Sequence, residues 1–302
     1  MAQLHVLTVH FNTPEMMSRL IENIPQQTPS GRAVYVHVLD NCSTVQNLSE
    51  LRMSIEKLPA VTLEMNRVNV GFGAGINQLA RSIRFGESDV LWIVNPDMRI
   101  EAGCIETLEN ELDKGHYNVV SPLIYTGDQN DRRIWYCGAH IDGHNLRVKH
   151  LLYGQQLADA PERPFETEFM TGAAPMMYEA TFRAVGGFPE DYFLYWEDAF
   201  FSWKARELGF RLGVVPSARL WHAVGASSGL GQSRTFYYWY ARNRFVFAHD
   251  FEIPRRRLLL GGGGLESVRI VGKALIERQG RLPKMRAAIR GSCHGLRRRR
   301  SS

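Results

Sequence analysis

The chain has 302 residues, 44% of them hydrophobic and 22% charged. That is enough apolar material to close a full core, as one large domain or two small ones, and it excludes a mainly disordered protein. The net charge of +5 is unevenly spread: from Arg255 onward 14 Lys/Arg stand against only Glu266 and Glu277, a local balance of +12 over an N-terminal body at −7.

No run approaches the roughly 18 to 20 apolar residues that cross a bilayer. The start, Met1 to Val6, has no basic region ahead of an apolar stretch, so no secretory leader is expected. Cys42, Cys104, Cys137 and Cys293 are far apart and form no Cys-x-x-Cys pair. This argues against a structural zinc site or a disulfide framework, and buried free thiols in a cytoplasmic protein are the expectation.

The first predicted strand is Leu4 to Val9, followed by Asn12-Thr13-Pro14, a turn and helix start in which Thr13 caps and Pro14 suits the first turn. A second strand, Ala33 to Leu39, ends in Asp40-Asn41-Cys42-Ser43. The third, Val61 to Met65, runs into Asn69 and Gly71-Phe72-Gly73-Ala74-Gly75, read as a ligand-approaching loop over 69–77, with a helix over Ile76 to Arg84. Val90 to Val94 is a fourth strand, ending in Asn95-Pro96-Asp97. Strands alternating with helix-length segments predict βαβ units and a mostly parallel sheet. Ligands then bind beyond the carboxyl ends of the strands, where Asp40, Asn69, Asn95 and Asp97 gather.

Later elements are less regular. Short strands are predicted over Asn118 to Leu123 and Ile134 to Cys137, then a long polar connection over Asp142 to Glu168. Helices are predicted over Glu179 to Val185 and Asp198 to Leu208, the latter stopped by Gly209, before a strand over Arg211 to Val215. Phe236 to Phe251 is aromatic and helical. Gly71-x-Gly73 is followed by Ile76 where a dinucleotide fingerprint needs glycine, and it follows the third strand, which disfavours an NAD-dependent oxidoreductase.

The ordered set Asp40-Asn41-x-Ser43, Asn69-x-Gly71-Phe72-Gly73, Asn95-Pro96-Asp97, Gly186-Gly187-Phe188, Glu197-Asp198 and Trp221-His222 resembles the inverting, GT-A-fold glycosyltransferases of family 2 over about residues 3 to 250. The resemblance extends to the rhamnosyltransferase-like branch, which has Asn-Pro-Asp where others carry Asp-x-Asp. It implies an α/β GT-A domain over residues 1–250, a Rossmann-like nucleotide-sugar-binding sheet with flanking helices, plus a basic, helical or partly disordered C-terminal extension over 251–302.

The function so implied is metal-dependent transfer of a sugar, a deoxyhexose such as rhamnose favoured, from a dTDP- or UDP-sugar to an acceptor hydroxyl. Asp97 and His222 would hold Mg²⁺ or Mn²⁺ against the diphosphate, since a hard cation on carboxylate oxygen suits charge building on the leaving group. A plain turn and a core histidine are the alternatives for these two. Asp198 would be the general base, its apolar approach Phe193-Leu194-Tyr195-Trp196 raising its basicity; a helix-capping role is the alternative. Asp40, or a simple turn aspartate, would meet the pyrimidine base, with Asn69, Gly71, Phe72 and Asn95 also on the donor nucleotide. Gly172, Trp196 and Glu197 would contact sugar or acceptor, although aromatic side chains at such spacing also build cores. Arg242 and Arg244 would reach the diphosphate or form ion pairs.

The implied acceptor is a glycan, a lipid-linked sugar or a small molecule. The basic tail is read as a solvated extension or an amphipathic surface attached to anionic lipid, placing the enzyme at the inner face of the membrane; nucleic acid is not expected. A non-catalytic nucleotide-sugar- or glycan-binding protein is the competing reading, which the joint presence of Asp97, Asp198 and His222 disfavours.

Overall fold

A computed structural model describes residues 2–223 and 232–298. In chain order the first half contains β1 (Gln3–His10), α1 (Pro14–Glu22), β2 (Ala33–Asp40), α2 (Val45–Ile55), β3 (Val61–Met65), α3 (Phe72–Ser82), β4 (Val90–Ile93), β5 (Met98–Ile100), α4 (Cys104–Asp113) and β6 (Val119–Thr126). Then come β7 (Arg133–Tyr136), β8 (Ala139–Asp142), β9 (Arg147–His150), β10 (Phe165–Thr167), β11 (Met176–Tyr178), α5 (Glu179–Val185), α6 (Glu197–Glu207) and β12 (Leu212–His222). Four helices close the chain: α7 (Arg234–Asp250), α8 (Arg255–Leu260), α9 (Gly262–Ile276) and α10 (Arg281–Arg297).

The central sheet runs β10-β12-β6-β11-β4-β1-β2-β3, with β5 on β12 and β7 on β6. Strands β3, β2, β1 and β4 are mutually parallel, as are β6 and β12. Strand β11 enters antiparallel between β4 and β6. Because side chains alternate across a strand, β1 sends Leu4 and Val6 into a core with Val36, Trp92 and Met17, and Leu7 into a second core with Leu39, Ile76 and Leu91. Two covered faces make the sheet doubly wound, a mixed but largely parallel α/β architecture.

The order β3-β2-β1-β4 brings the carboxyl ends of β1, β2 and β4 to one edge. The register pairs His10 with Asp40 and Leu7 with Ile93. Strand β12 is longer than the expected Arg211–Val215 segment, and its far end pairs with β5, setting His222 opposite Met98. That pairing carries residue 222 back to the end of β4.

Helix α3 begins at Phe72, not Ile76, so the ligand-approaching loop shrinks to 69–71. Gly73 and Gly75 lie inside the helix for packing: a Cβ would stand 2.8 Å from the Phe188 Cβ at Gly73 and 3.0 Å from Leu39 Cδ2 at Gly75. Thr13 precedes α1 as expected, with Pro14 in the first turn, but its side chain makes no capping hydrogen bond. The thiols are free, yet only Cys104 and Cys137 are buried; Cys42 is half-buried and Cys293 exposed.

The basic extension is helical where described. Helix α10 lies flat on α7 because Gly291 and Gly295 sit one turn apart, where a Cβ would stand 2.2 Å from the Tyr238 carbonyl oxygen and 2.3 Å from that of Arg242. Only hydrogen fits in either gap, so the glycines set the separation of the two backbones. No helix among the described residues is long and apolar enough to cross a membrane.

Candidate active site

At the end of β4 the Asn95 amide donates to the Ala173 carbonyl (3.0 Å), and the Ala223 amide to the Asp97 carbonyl (3.0 Å). Asp97 and His222 meet here: His222 Nε2 stands 3.0 Å from Asp97 Oδ2, with the side chains 12% and 17% exposed. The edge of Trp135 rests on the imidazole at 4.4 Å between centroids. Asp97 Oδ1 and His222 Nδ1 are buried with no hydrogen-bond partner. Buried polar atoms are nearly always satisfied, so these two are exceptions within the fold. Oxygen and imidazole donors fit a divalent cation; among the described residues no third His, Cys, Asp or Glu joins them.

The strand of chain that touches Asn95 also touches Asp198. Gly172 N donates to Asp198 Oδ2 (3.3 Å) and Ala199 N to Oδ1 (2.8 Å). A side chain at Gly172 would meet Phe72 Cε1 at 3.0 Å and Asp198 Cβ at 3.6 Å, so Gly172 lets Phe72 and α6 close around the carboxylate. Burial pushes the Asp198 carboxyl up to about 6, against the pull of these two backbone donors. Glu197 beside it is more enclosed (6% exposed), and burial, then the Asp198 charge, hold its carboxyl well above the usual carboxylate range. Its Oε2 is also buried without a partner. Adjacent carboxyls in one low-dielectric pocket cannot both ionise cheaply, so the pair holds a proton more tightly than either carboxyl would alone.

The approach to this pair is strained. Phe193, Tyr195 and Trp196 have φ of +62°, +66° and +74°, three left-handed aromatic residues within four positions. Such conformations cost on the order of 1–3 kcal/mol each and persist only where the surroundings over-determine them. Asn243 of α7 does so: its Nδ2 donates to the carbonyls of Tyr192 (2.6 Å), Leu194 (3.0 Å) and Tyr195 (2.8 Å). From the other side Phe72 N donates to the Phe193 carbonyl (2.9 Å), and Gly71, at φ +89°, leaves room for that oxygen where a Cβ would lie 2.2 Å away.

Several expected ligand contacts prove structural. Arg244 is fully buried; it donates to the carbonyls of Leu146 (3.1 Å) and Gly263 (2.6 Å) and to Ser267 Oγ (3.1 Å), so it pins α9 to α7 and is withdrawn from any diphosphate. Arg242 donates to the Asp191 carbonyl (3.0 Å) and to Asn243 Oδ1 (2.6 Å), bracing the strained turn. Trp196 is 3% exposed and wedged against Tyr240 and Phe247, so its face offers no stacking platform. Asn69 Oδ1 accepts from Asn41 Nδ2 (2.9 Å) and Gly71 N (2.9 Å), tying the end of β2 to the turn. Asp40 is 1% exposed, paired with His10 Nδ1 (2.8 Å) and Ser43 N (3.1 Å).

Asn243 was missed by sequence reasoning. Its signal was an amide inside the apolar stretch of α7, a position that must find buried partners. The aromatic turn gave no signal, because its backbone strain is imposed by tertiary contacts.

The doubly wound sheet with polar residues at its strand ends is the architecture of the GT-A fold. Residues 5–182 match the sequence model of Glycosyl transferase family 2. The N-acetylglucosaminyl-diphospho-decaprenol L-rhamnosyltransferase of Mycobacterium tuberculosis is 24% identical over 245 residues, 75% of this chain and 78% of the relative. Among solved structures, GalNAc-T7 with UDP, GalNAc and Mn²⁺ superposes with a TM-score of 0.66 at 17% identity, over 82% of this chain. This chain spans about half (48%) of that one. The mannosyltransferase PcManGT of Pyrobaculum calidifontis, solved with GDP-Man and Mn²⁺, gives 0.57 at 18% identity, over 96% of this chain and 75% of its own. The chain belongs to glycosyl transferase family 2 and is rhamnosyltransferase-like.

Proposed function

We propose that the chain is a metal-dependent, inverting transferase that moves a deoxyhexose, L-rhamnose favoured, from a dTDP- or UDP-sugar to the hydroxyl of a lipid-linked sugar. The observation that carries this reading is the half-buried Asp198 carboxylate, raised to about 6 and held by Gly172 N (3.3 Å), one residue from the Ala173 carbonyl that takes the Asn95 amide at the end of β4. A base tuned close to the working pH is ionised at neutrality yet still takes a proton from an attacking hydroxyl.

In this reading Asp97 and His222 hold Mg²⁺ or Mn²⁺, which supplies counter-charge to the departing diphosphate. Protonated Glu197 donates a hydrogen bond to the acceptor and leaves Asp198 as the sole base. The edge formed by Gly71 and Asn95 receives the nucleotide, while Asp40, buried beneath it, holds the turn through His10 and Ser43. The mycobacterial relative's lipid-linked substrate supports the choice of acceptor.

The tail supports a membrane-facing location. Leu260, Ile276, Leu265 and Val268 are 90%, 79%, 74% and 69% exposed on α8 and α9. They are interspersed with Arg257, Arg269 and Lys273, the composition of a helix that lies in a lipid interface. The test is a hydrolysis screen of dTDP- and UDP-sugars with Mg²⁺, Mn²⁺ or EDTA. Nucleotide release that needs the cation and is lost in Asp97→Ala is expected. No metal-dependent release or binding with any donor contradicts the proposal.

A further inference from the structure

Between the β8–β9 hairpin, α7 and α9 lies a cavity of about 370 Å³ that the donor and base sites do not use. Four cations line it, Arg147, Lys149, Arg269 and Lys273, against one acid, Glu266. Their pairing leaves charge over. Lys149 is held by Asp142 (2.6 Å), and Arg269 Nη1 takes both Glu266 oxygens at 3.0 Å. Arg147 and Lys273 have no ion-pair partner among the described residues; Lys273 stands only over the Phe236 ring, at 5.9 Å. Two free cations facing one cavity repel each other and are stabilised by an anion that spans them.

The walls are apolar where the rim is charged. Phe236 and Tyr240 stack at 5.1 Å, and Tyr153 is 64% exposed at the mouth. The cavity also adjoins the reacting centre on two sides. Phe236 meets the Tyr195 ring at 5.0 Å and Tyr240 meets Trp196 at 5.9 Å, directly ahead of Glu197–Asp198. On the other flank His150 contacts Trp135, whose edge rests on His222. The same helix α9 that supplies Lys273 exposes Leu265, Val268 and Ile276 outward.

We propose that this cavity binds the diphosphate of an amphiphilic acceptor, with Arg147 and Lys273 bridging its charge and the aromatic wall directing the attached sugar towards Asp198. This rests on the glycosyl-transfer reading and names the acceptor group that the cavity recognises. Arginine grips two phosphate oxygens in a fork while lysine acts as a point charge, so the pair suits two linked phosphates better than one carboxylate. An anionic bilayer headgroup offers similar chemistry, and the test separates the two sources.

The experiment is titration calorimetry in EDTA, which removes cation-dependent donor binding, on the full chain and on Arg147→Gln/Lys273→Gln. The probes are N-acetylglucosamine joined through diphosphate to a farnesyl chain, the matching phosphate-free farnesyl glycoside, and vesicles of equimolar phosphatidylglycerol and phosphatidylcholine. Lys273 is exposed and Arg147 half-buried, and an unchanged melting temperature verifies the fold of the variant. A Kd for the diphosphate probe weakened about tenfold or more (about 1.4 kcal/mol), with the phosphate-free probe unaffected, supports the proposal. Equal weakening of both probes, or of neither, overturns it. Loss of vesicle binding alone assigns the cations to the bilayer and also overturns it. Donor hydrolysis is not consulted, so this outcome is independent of the proposed transfer activity.

Discussion

Asp198→Asn is expected to lower kcat/KM for transfer by about 10²- to 10⁴-fold, the usual worth of a positioned general base, while nucleotide binding is retained. The amide keeps the shape of the carboxylate and one acceptor for Gly172 or Ala199, but it cannot take a proton. In the wild type the acidic limb of the kcat/KM profile should fall near pH 6, because below that value the folded-state carboxyl is protonated. The same shift has a stability consequence of defined sign. A carboxyl raised from its ordinary value stabilises the fold at low pH, and that contribution is lost as pH rises through about 6. The melting temperature should therefore decline through this range, and Asp198→Asn should flatten the decline. A variant with wild-type turnover, or an unmoved acidic limb, would exclude Asp198 as the base.

The second large effect is expected at Asn243, remote in sequence from the chemistry. Asn243→Ala strips the carbonyls of Tyr192, Leu194 and Tyr195 of their shared donor. The buried Tyr192 acceptor left unpaired costs roughly 1–3 kcal/mol and the partly buried Leu194 and Tyr195 acceptors less, so a loss of about 3 kcal/mol is expected. Thermal denaturation should register this as a drop of roughly 6–12 °C. The strained turn then relaxes and Glu197–Asp198 moves with it; a displacement of about 1 Å can cost 10²-fold in rate. Asn243→Asp sharpens the test, since it preserves shape but cannot donate. It should be as damaging as alanine, and near-wild-type rate and stability in Asn243→Asp would show that the three donated bonds do not hold the turn.

The buried parallel strands were legible because they read as short β-branched runs; the more exposed strand Val61–Met65 and the helix Glu179–Val185 also match their expected bounds. Asp97 and His222 were paired on family resemblance alone, and β5–β12 pairing supplies the physical reason: a second half of the sheet returns to the end of β4. What the sequence concealed follows a pattern. Arginine reads as a phosphate ligand, yet Arg244 donates to the carbonyls of Leu146, between β8 and β9, and Gly263 in the tail; tryptophan reads as a sugar platform, yet Trp196 fills the gap between α6 and α7. Composition does not say which neighbour satisfies a side chain. Gly73 and Gly75 misled likewise, because a glycine demanded by helix–sheet contact looks the same in sequence as one demanded by a ligand.

Single displacement driven by one base fixes the anomeric configuration of the product. Enzyme, Mg²⁺, dTDP-β-L-rhamnose and the farnesyl-diphosphate-linked N-acetylglucosamine would be incubated together, and the new linkage read by one-bond carbon–proton coupling in NMR. A single α-L-rhamnosyl linkage, inverted relative to the donor, is expected, formed at least about 10²-fold more slowly by Asp198→Asn. A β-linked product, formed with retention, would contradict single displacement.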